Sequence, residues 1–402
     1  MKKLMILLDH NPAEEGALPF LLPELAAEQQ RFSVSLFSSS RMDGLDLCGL
    51  PISSFCQKKR GNRLLYFLPN RTKTIYRRLL KENNTSGSQK QSEEDIRQFL
   101  FQSEMLRRWL EKKGTFSSWE NCVYYTYWYG IGAMALVLEK LRFPNLKIAT
   151  RVQESDFAMA NCFFQQRMFL YLNLIAFSFR GSRDIFCQER NIKKRGNIKI
   201  SYMGVPDRGL NPPGKKGTPL QLLSEDYTEN AELHLQKIAQ ALASIDFPIH
   251  WCHCGLDADI LEQQEKTCRS FLSDTDNVVW KTKCFHSGEE RSAYFQTHSI
   301  DLYLTFPQNE KQAILVIEAC SYGIPTIAAS TLNFITEIIN PGIGYLLPAK
   351  PESQQIAQVL QDYHRASFTM QASLRLNARQ IWFNSFNSKK NDEKFAKALF
   401  SL

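Results

Sequence analysis

Two glutamates eight residues apart, Glu310 and Glu318, interrupt an otherwise apolar stretch of this 402-residue chain. A carboxylate inside a buried helix is costly without a partner, and sugar or ribose hydroxyls are suitable donors to one. Eight residues is a little over two helical turns, so both side chains can lean toward one side of a helix. The alternative is that Glu318 is a satisfied core acid and Glu310 an N-terminal cap, and spacing alone leaves both open. A second candidate set is Arg151, Gln153 and Asp156, which leave a predicted strand at Lys147 to Arg151. Open α/β sheets bind ligands at such strand ends.

The elements around the first pair are legible. Asp301 to Phe306 is apolar and aromatic and predicts a buried strand; Lys311 to Tyr322 is apolar over about three turns and predicts a buried helix. Gly323 sits where a helix-terminating glycine belongs, Pro325 prevents continuation, and Thr326 to Ala329 predicts a second strand. Strand, helix and parallel strand make a βαβ unit covered on both faces.

The segment Glu310-Lys311-Gln312-Ala313 through Glu318-Ala319 to Gly323-Ile324-Pro325-Thr326 resembles the E-x7-E segment of retaining GT-B glycosyltransferases, specifically family 4. The resemblance implies that Glu318 holds the ribose of a nucleotide-sugar donor and that Glu310 contacts the donor sugar. Glu337, ahead of Pro341-Gly342-Ile343-Gly344, matches a further acidic position, and Lys311 and Gln312 join the donor-binding set. Tyr125-Thr126-Tyr127-Trp128, followed by Arg151 and Asp156, looks like the bacterial surface-polysaccharide branch. There Gln153 occupies a position that is usually His, near the donor's reacting carbon. Glutamine donates and accepts hydrogen bonds but carries no proton.

Other departures bear on the donor diphosphate. Members of the family place an Arg or Ser near the end of the C-terminal domain's first strand and a Lys before its helix. This chain has Glu225, Asp226, Glu229 and Glu232 in that region. Each like-charge contact at about 4 Å would cost on the order of 1 kcal/mol even in water-like surroundings. The residue after the first Glu, usually Gly, is Lys311, a cation at a helix N-terminus suited to anions. A glycine pair expected before the later Glu is replaced by Ser330-Thr331-Leu332-Asn333-Phe334.

Further along the chain, Leu4 to Leu8, a helix through Phe20 to Leu25 and Phe32 to Phe37 predict an opening βαβ unit. No Gly-rich phosphate loop follows its first strand, which argues against a dinucleotide fold in that half. Cys122 to Trp128 predicts a buried strand and Gly130 to Ala133 the start of a helix, with Ile185 to Gln188 and Ile198 to Tyr202 as the last strands of that half. Asn211 to Pro219, dense in Pro, Gly and Lys, predicts a linker. Leu220 to Leu223, a helix over Ala231 to Ile245 and His250 to Cys254 open the second half, and Ile381 through Phe395 predicts a closing amphipathic helix.

The chain is 44% hydrophobic with net charge +8, which permits sizeable cores and favours anionic partners. It contains no apolar run of about twenty residues, and Met1-Lys2-Lys3 leads into a strand rather than a signal peptide. A cytoplasmic protein, touching a membrane at most from its surface, is therefore expected. Lys58 to Lys81 holds nine basic residues and no acid, mixed with apolar and aromatic side chains. That mixture suits an anionic membrane interface or the solvated face of a helical hairpin; nucleic acid lacks a supporting motif. Ten cysteines without a secretory signal read as reduced core residues. Cys252-His253-Cys254 invites a zinc reading, but no second close pair completes such a site, and Asp257/Asp259 and Asp274/Asp276 read as turns.

The expected fold is α/β: GT-B, two doubly wound Rossmann-like domains facing a central cleft. Expected boundaries are 1–210 with a basic helical insertion at about 58–113, a linker at 211–219, a nucleotide-sugar domain at 220–380, and a helix at 381–402 crossing back. The expected function is metal-independent, retaining sugar transfer from a nucleotide-sugar to a glycan or polyprenyl-linked acceptor, with no further cofactor. The rival is a catalytically degenerate homologue acting as a binding or scaffold subunit.

Overall fold

Strand β1 (Lys3–Leu8) shows why a parallel sheet forms here: its apolar side chains alternate between two cores. Leu4, Ile6 and Leu8 face one and Leu7 the other. The structure, a computed structural model, describes all residues except 43–45, 56–71, 78–92, 154–155, 157–167, 191, 193–195, 227, 256–257, 274 and 331–333, and the side chains of 258–261 and 263. Most of the basic stretch 58–81 lies outside the described residues, as do Asp257 and Asp274. Two compact units result, Met1–Met203 with Ser388–Leu402, and Gly204–Asn387.

The first unit continues with α1 (Leu18–Gln29), β2 (Ser33–Ser38), β3 (Asp46–Leu47), β4 (Leu50–Ser54), α2 (Glu93–Lys112), β5 (Cys122–Thr126), α3 (Ile131–Lys140), β6 (Lys147–Val152), β7 (Leu174–Phe177), α4 (Arg180–Glu189) and β8 (Ile198–Ile200). Its eight-stranded sheet has the order β3-β4-β2-β1-β5-β6-β7-β8, parallel apart from the short β3–β4 pair. Chain order reverses between β1 and β5, which run in register from Lys3 opposite Cys122 to Leu7 opposite Thr126. One core packs α1 side chains Leu21 and Leu25 on one sheet face; the other packs Leu100, Leu110, Met134 and Leu138 of α2 and α3 on the opposite face.

Ile185–Gln188, expected as a strand, lies inside α4. Ser182 and Phe186, four residues apart, are buried on one helix face, and the strand itself is the fully buried run Leu174–Phe177.

The second unit comprises β9 (Leu220–Glu225), α5 (Ala231–Ala243), β10 (Ile249–Gly255), α6 (Ala258–Leu272), β11 (Val278–Cys284), α7 (Gly288–Thr297), β12 (Leu302–Thr305), α8 (Glu310–Ser321), β13 (Thr326–Ala329), α9 (Ile335–Ile338), β14 (Gly344–Leu347), α10 (Ser353–Arg365) and α11 (Phe368–Ile381). All six strands are parallel, in the order β11-β10-β9-β12-β13-β14, and the order reverses between β9 and β12. Helix α8 starts where the Asn309 side chain accepts from the Gln312 N–H at 2.9 Å, and Gly323 closes it with φ +72°. Beyond α11 the chain makes a π-helical turn, Trp382–Phe386, goes extended at Asn387 and forms α12 (Ser388–Phe400). A break at Asn387 thus divides the single helix expected from Ile381 to Phe395. Helix α12 belongs to the first unit, where Phe395 and Leu399 join the core beside Leu21 and Leu25.

Candidate functional site

In the second unit the switch point is the carboxyl end of β9 and β12, and charged groups gather there. Glu318 points its carboxylate at the Arg291 guanidinium of α7 and lies 3.6 Å from that of Arg208. Arg291 also grips Glu225 at the end of β9 in bidentate fashion, Nε at 2.9 Å and Nη2 at 2.7 Å, and the Tyr303 hydroxyl donates to the same carboxylate at 2.7 Å. Burial opposes the charge on Arg291, but Glu225 and Glu318 outweigh it and hold the guanidinium protonated far above its ordinary range. Asp226 accepts from the Thr228 N–H at 2.9 Å and lies 2.6 Å from Nδ1 of His234, whose ring stacks on Phe306 with centroids 4.2 Å apart.

These contacts correct the expectation of four uncompensated carboxylates at the phosphate position. Glu225 is wholly buried on Arg291 and Asp226 is turned toward His234; only Glu229 and Glu232 are exposed. The compensating groups, Arg291, Arg208, Tyr303 and His234, escaped the sequence reading. They lie 8 to 110 residues from their partners, and nothing in the local pattern pairs them.

Glu310 is the first residue of α8 and is 2% exposed, with Lys311 exposed beside it on the same turn. Gln312 has its side-chain oxygen engaged by the Gln308 N–H at 2.6 Å, so it closes the loop between β12 and α8. Glu337 is half-buried in α9, after β13. Ser224, one residue before Glu225, accepts from Trp251 Nε1 at 2.8 Å and lies 2.8 Å from His253 Nδ1. Burial pushes that imidazole down to about 4, so it is neutral at ordinary pH.

The first unit has its own switch-point cluster. Asp9, just past β1, receives the Gly132 N–H at 2.9 and 3.1 Å and the Ser39 hydroxyl at 3.2 Å. Asp156, past β6, receives the Tyr129 N–H at 3.1 Å and the Gln153 N–H at 2.8 Å. The two carboxylates thereby hold both sides of the turn leading into α3. The two glycines leave room for that carboxylate: a Cβ on Gly130 would meet Asp9 Oδ2 at 2.6 Å, and one on Gly132 would meet Oδ1 at 2.8 Å. Burial pushes Asp9 up to about 6 and Asp156 up to about 7, the hydrogen bonds to each offsetting part of the shift. Gln153 donates its side-chain N–H to the Tyr127 carbonyl at 3.1 Å. His10 stands edge-on to Trp128, 5.3 Å between ring centroids.

Arg151 is engaged differently from its expected partners Gln153 and Asp156. Its buried guanidinium pairs with Glu24 of α1, donates to the Ser201 carbonyl at 3.0 Å and lies over the Phe395 ring at 4.7 Å. It is a core ion pair tying β6, α1 and α12 together. Among the described residues, no group of three His, Cys, Asp or Glu side chains is placed to hold a metal ion. No helix among them is long and apolar enough to cross a membrane.

No known sequence family and no curated protein matches this chain by sequence. Solved structures do. The apo lipopolysaccharide outer core galactosyltransferase WaaB is 13% identical over 99% of both chains, with a TM-score of 0.67. Anabaena HepE in complex with UDP and glucose is 14% identical over 100% of both, with a TM-score of 0.61. Acinetobacter baumannii MurG is 12% identical over 100% of both, with a TM-score of 0.60. At these identities the likeness defines the fold: the chain has the GT-B glycosyltransferase fold, built from two Rossmann-like units.

Proposed function

We propose that this protein transfers a sugar, with retention and without a metal, from a nucleotide-sugar donor to a lipid-linked or growing surface glycan. The observation that carries the reading is the buried Glu310 at the start of α8, beside the β9–β12 switch point where open α/β sheets take ligands. HepE, which shares the fold, is seen with UDP and with UDP-glucose. The family-4 resemblance supplies the roles: Glu318 on the ribose, Glu310 on the donor sugar, with Lys311, Gln312 and Glu337 around the donor.

For the departing diphosphate the reading uses His234. With Nδ1 held by Asp226, the imidazole has Nε2 left for a phosphate oxygen. In the first unit Gln153 and Asp156 serve the reacting centre, and Arg151 fixes the end of β6 that carries them. The basic stretch 58–81 would bring the protein to the anionic cytoplasmic face of a membrane. A second reading, a non-catalytic binding subunit, draws support from Gln153, which carries no proton, and from Arg291, which is occupied by Glu225 and Glu318.

Calorimetry with a panel of nucleoside diphosphates and nucleotide-sugars separates the two. Micromolar binding of one nucleotide, lost in Glu318→Ala and weakened about tenfold for the diphosphate but not the nucleoside in His234→Ala, supports the transferase. No binding by the wild-type protein supports the non-catalytic subunit.

A further inference from the structure

A cavity of about 510 Å³ opens on the sheet of the second unit, apart from its switch point. Its floor includes Gln221, Leu223, His250, Cys252, Val279 and Lys281, alternate residues of β9, β10 and β11 and therefore one sheet face. Cys252 is 5% exposed, and its sulfur lies 4.0 Å from that of Cys254, two residues on along β10. Both thiols are free.

The surroundings favour a thiolate. Lys281 and Lys283 stand on the neighbouring strand, paired with Cys252 and Cys254 in register, and hold their ammonium groups 5.9 and 5.5 Å from the Tyr294 ring. Glu290 balances Lys283 at 3.2 Å. The Cys254 thiol, the Tyr294 hydroxyl and the two lysines bring Cys252 down to about 7 against the opposing effect of burial, whereas Cys254 is pushed up, chiefly by burial. Reactive cysteines occupy electropositive, partly open settings of this kind.

From the paired sulfurs, the flanking lysines and the cavity that reaches Cys252, we infer that Cys252 and Cys254 form a reversible redox site oxidised by small peroxides. The Cys252 thiolate attacks one peroxide oxygen; the O–O bond breaks, hydroxide leaves and Cys252 becomes a sulfenic acid. The Cys254 sulfur then attacks that sulfur, an S–S bond forms, and the departing hydroxide takes the Cys254 proton as water. Two thiols lose two electrons, and the peroxide is reduced.

The test uses the full chain. With iodoacetamide at pH 7, Cys252 should react about fivefold faster than exposed Cys48, whose thiol is pushed up from its ordinary value; the greater thiolate fraction outweighs the lower intrinsic nucleophilicity. Its rate should have a midpoint near pH 7. Stoichiometric hydrogen peroxide should remove two hydrogens from the protein and yield one peptide linked through Cys252 and Cys254, restored by dithiothreitol. Cys254→Ser should stop at the sulfenic acid, trapped by dimedone; Cys252→Ser, checked for folding by circular dichroism, should form neither product. A Cys252 rate no faster than that of Cys48, or peroxide treatment without the linked peptide, overturns the inference.

Discussion

Replacing Glu225 by glutamine keeps the side chain's shape and removes its charge. In the native protein both carboxylate oxygens are engaged: Arg291 donates to each at 2.9 and 2.7 Å, and Tyr303 donates to one. Glutamine can accept with one oxygen, but its amide places N–H groups against the N–H groups of Arg291. Because Glu225 has no exposed surface, water cannot repair the mismatch. Removing one partner of a buried ion pair costs about 3–5 kcal/mol when the other charge is left unpaired; Glu318 stays on Arg291 here, so the lower end applies. At the lower end this corresponds to a melting shift of roughly 6–12 °C for a domain of this size class.

The assay is thermal unfolding of the full chain by near-ultraviolet circular dichroism, with Trp251 and Trp280 reporting on the second unit's sheet. Glu318→Gln is the internal comparison. That carboxylate shares Arg291 but is 13% exposed and has Arg208 at 3.6 Å, so its loss should cost less than half as much. The double replacement should exceed the sum of the singles, since each single leaves Arg291 one carboxylate. A shift below about 2 °C for Glu225→Gln would refute the claim that Arg291 is held by a desolvated pair.

Two further outcomes concern the first unit. Asp9 and Asp156 titrate at about 6 and about 7, above their ordinary values, so between pH 4 and 7 the folded state binds more protons than the unfolded state. Stability should therefore fall as pH rises through that window, by at most about 1.4 kcal/mol per pH unit for each group, and level off above 7; Asp156→Asn in urea titrations should flatten the slope. Gly132→Ala should destabilise by about 1–3 kcal/mol in the same titrations, because its Cβ would lie 2.8 Å from Asp9 Oδ1, and Asp9→Ala should restore most of the loss caused by the clash.

Periodicity and punctuation made much of the fold legible. Glu310 to Ala329 forms the expected helix and strand because apolar runs, an asparagine cap and Gly323 all favour the same local structure. The reading failed at Ile185–Gln188, where a short apolar run also fits a helix face and only tertiary packing decides. It failed at Asn387 as well: a continuous amphipathic pattern from Ile381 hides a break where Asn387 is extended and bridged to Val205. In the candidate site the carboxylates stand out in the sequence, but their partners do not. A buried acid advertises itself by its type, whereas the arginine that answers Glu225 comes from α7, 66 residues later.

That asymmetry changes how the acidic opening of the second unit should be weighed. Read as a string, Glu225-Asp226 is negative charge where a diphosphate would need the opposite. In three dimensions Glu225 is half of a pair with Arg291, and Asp226 is turned onto the imidazole of His234. The four groups Glu225, Glu318, Arg291 and Arg208 sum to zero formal charge, so they present no net repulsion to an anion approaching the strand ends. Arg291, with two carboxylates on it, is also poorly placed to exchange them for a phosphate. Among the described residues, the switch point also presents an imidazole stacked on Phe306, the start of α8 and Lys311 on its first turn.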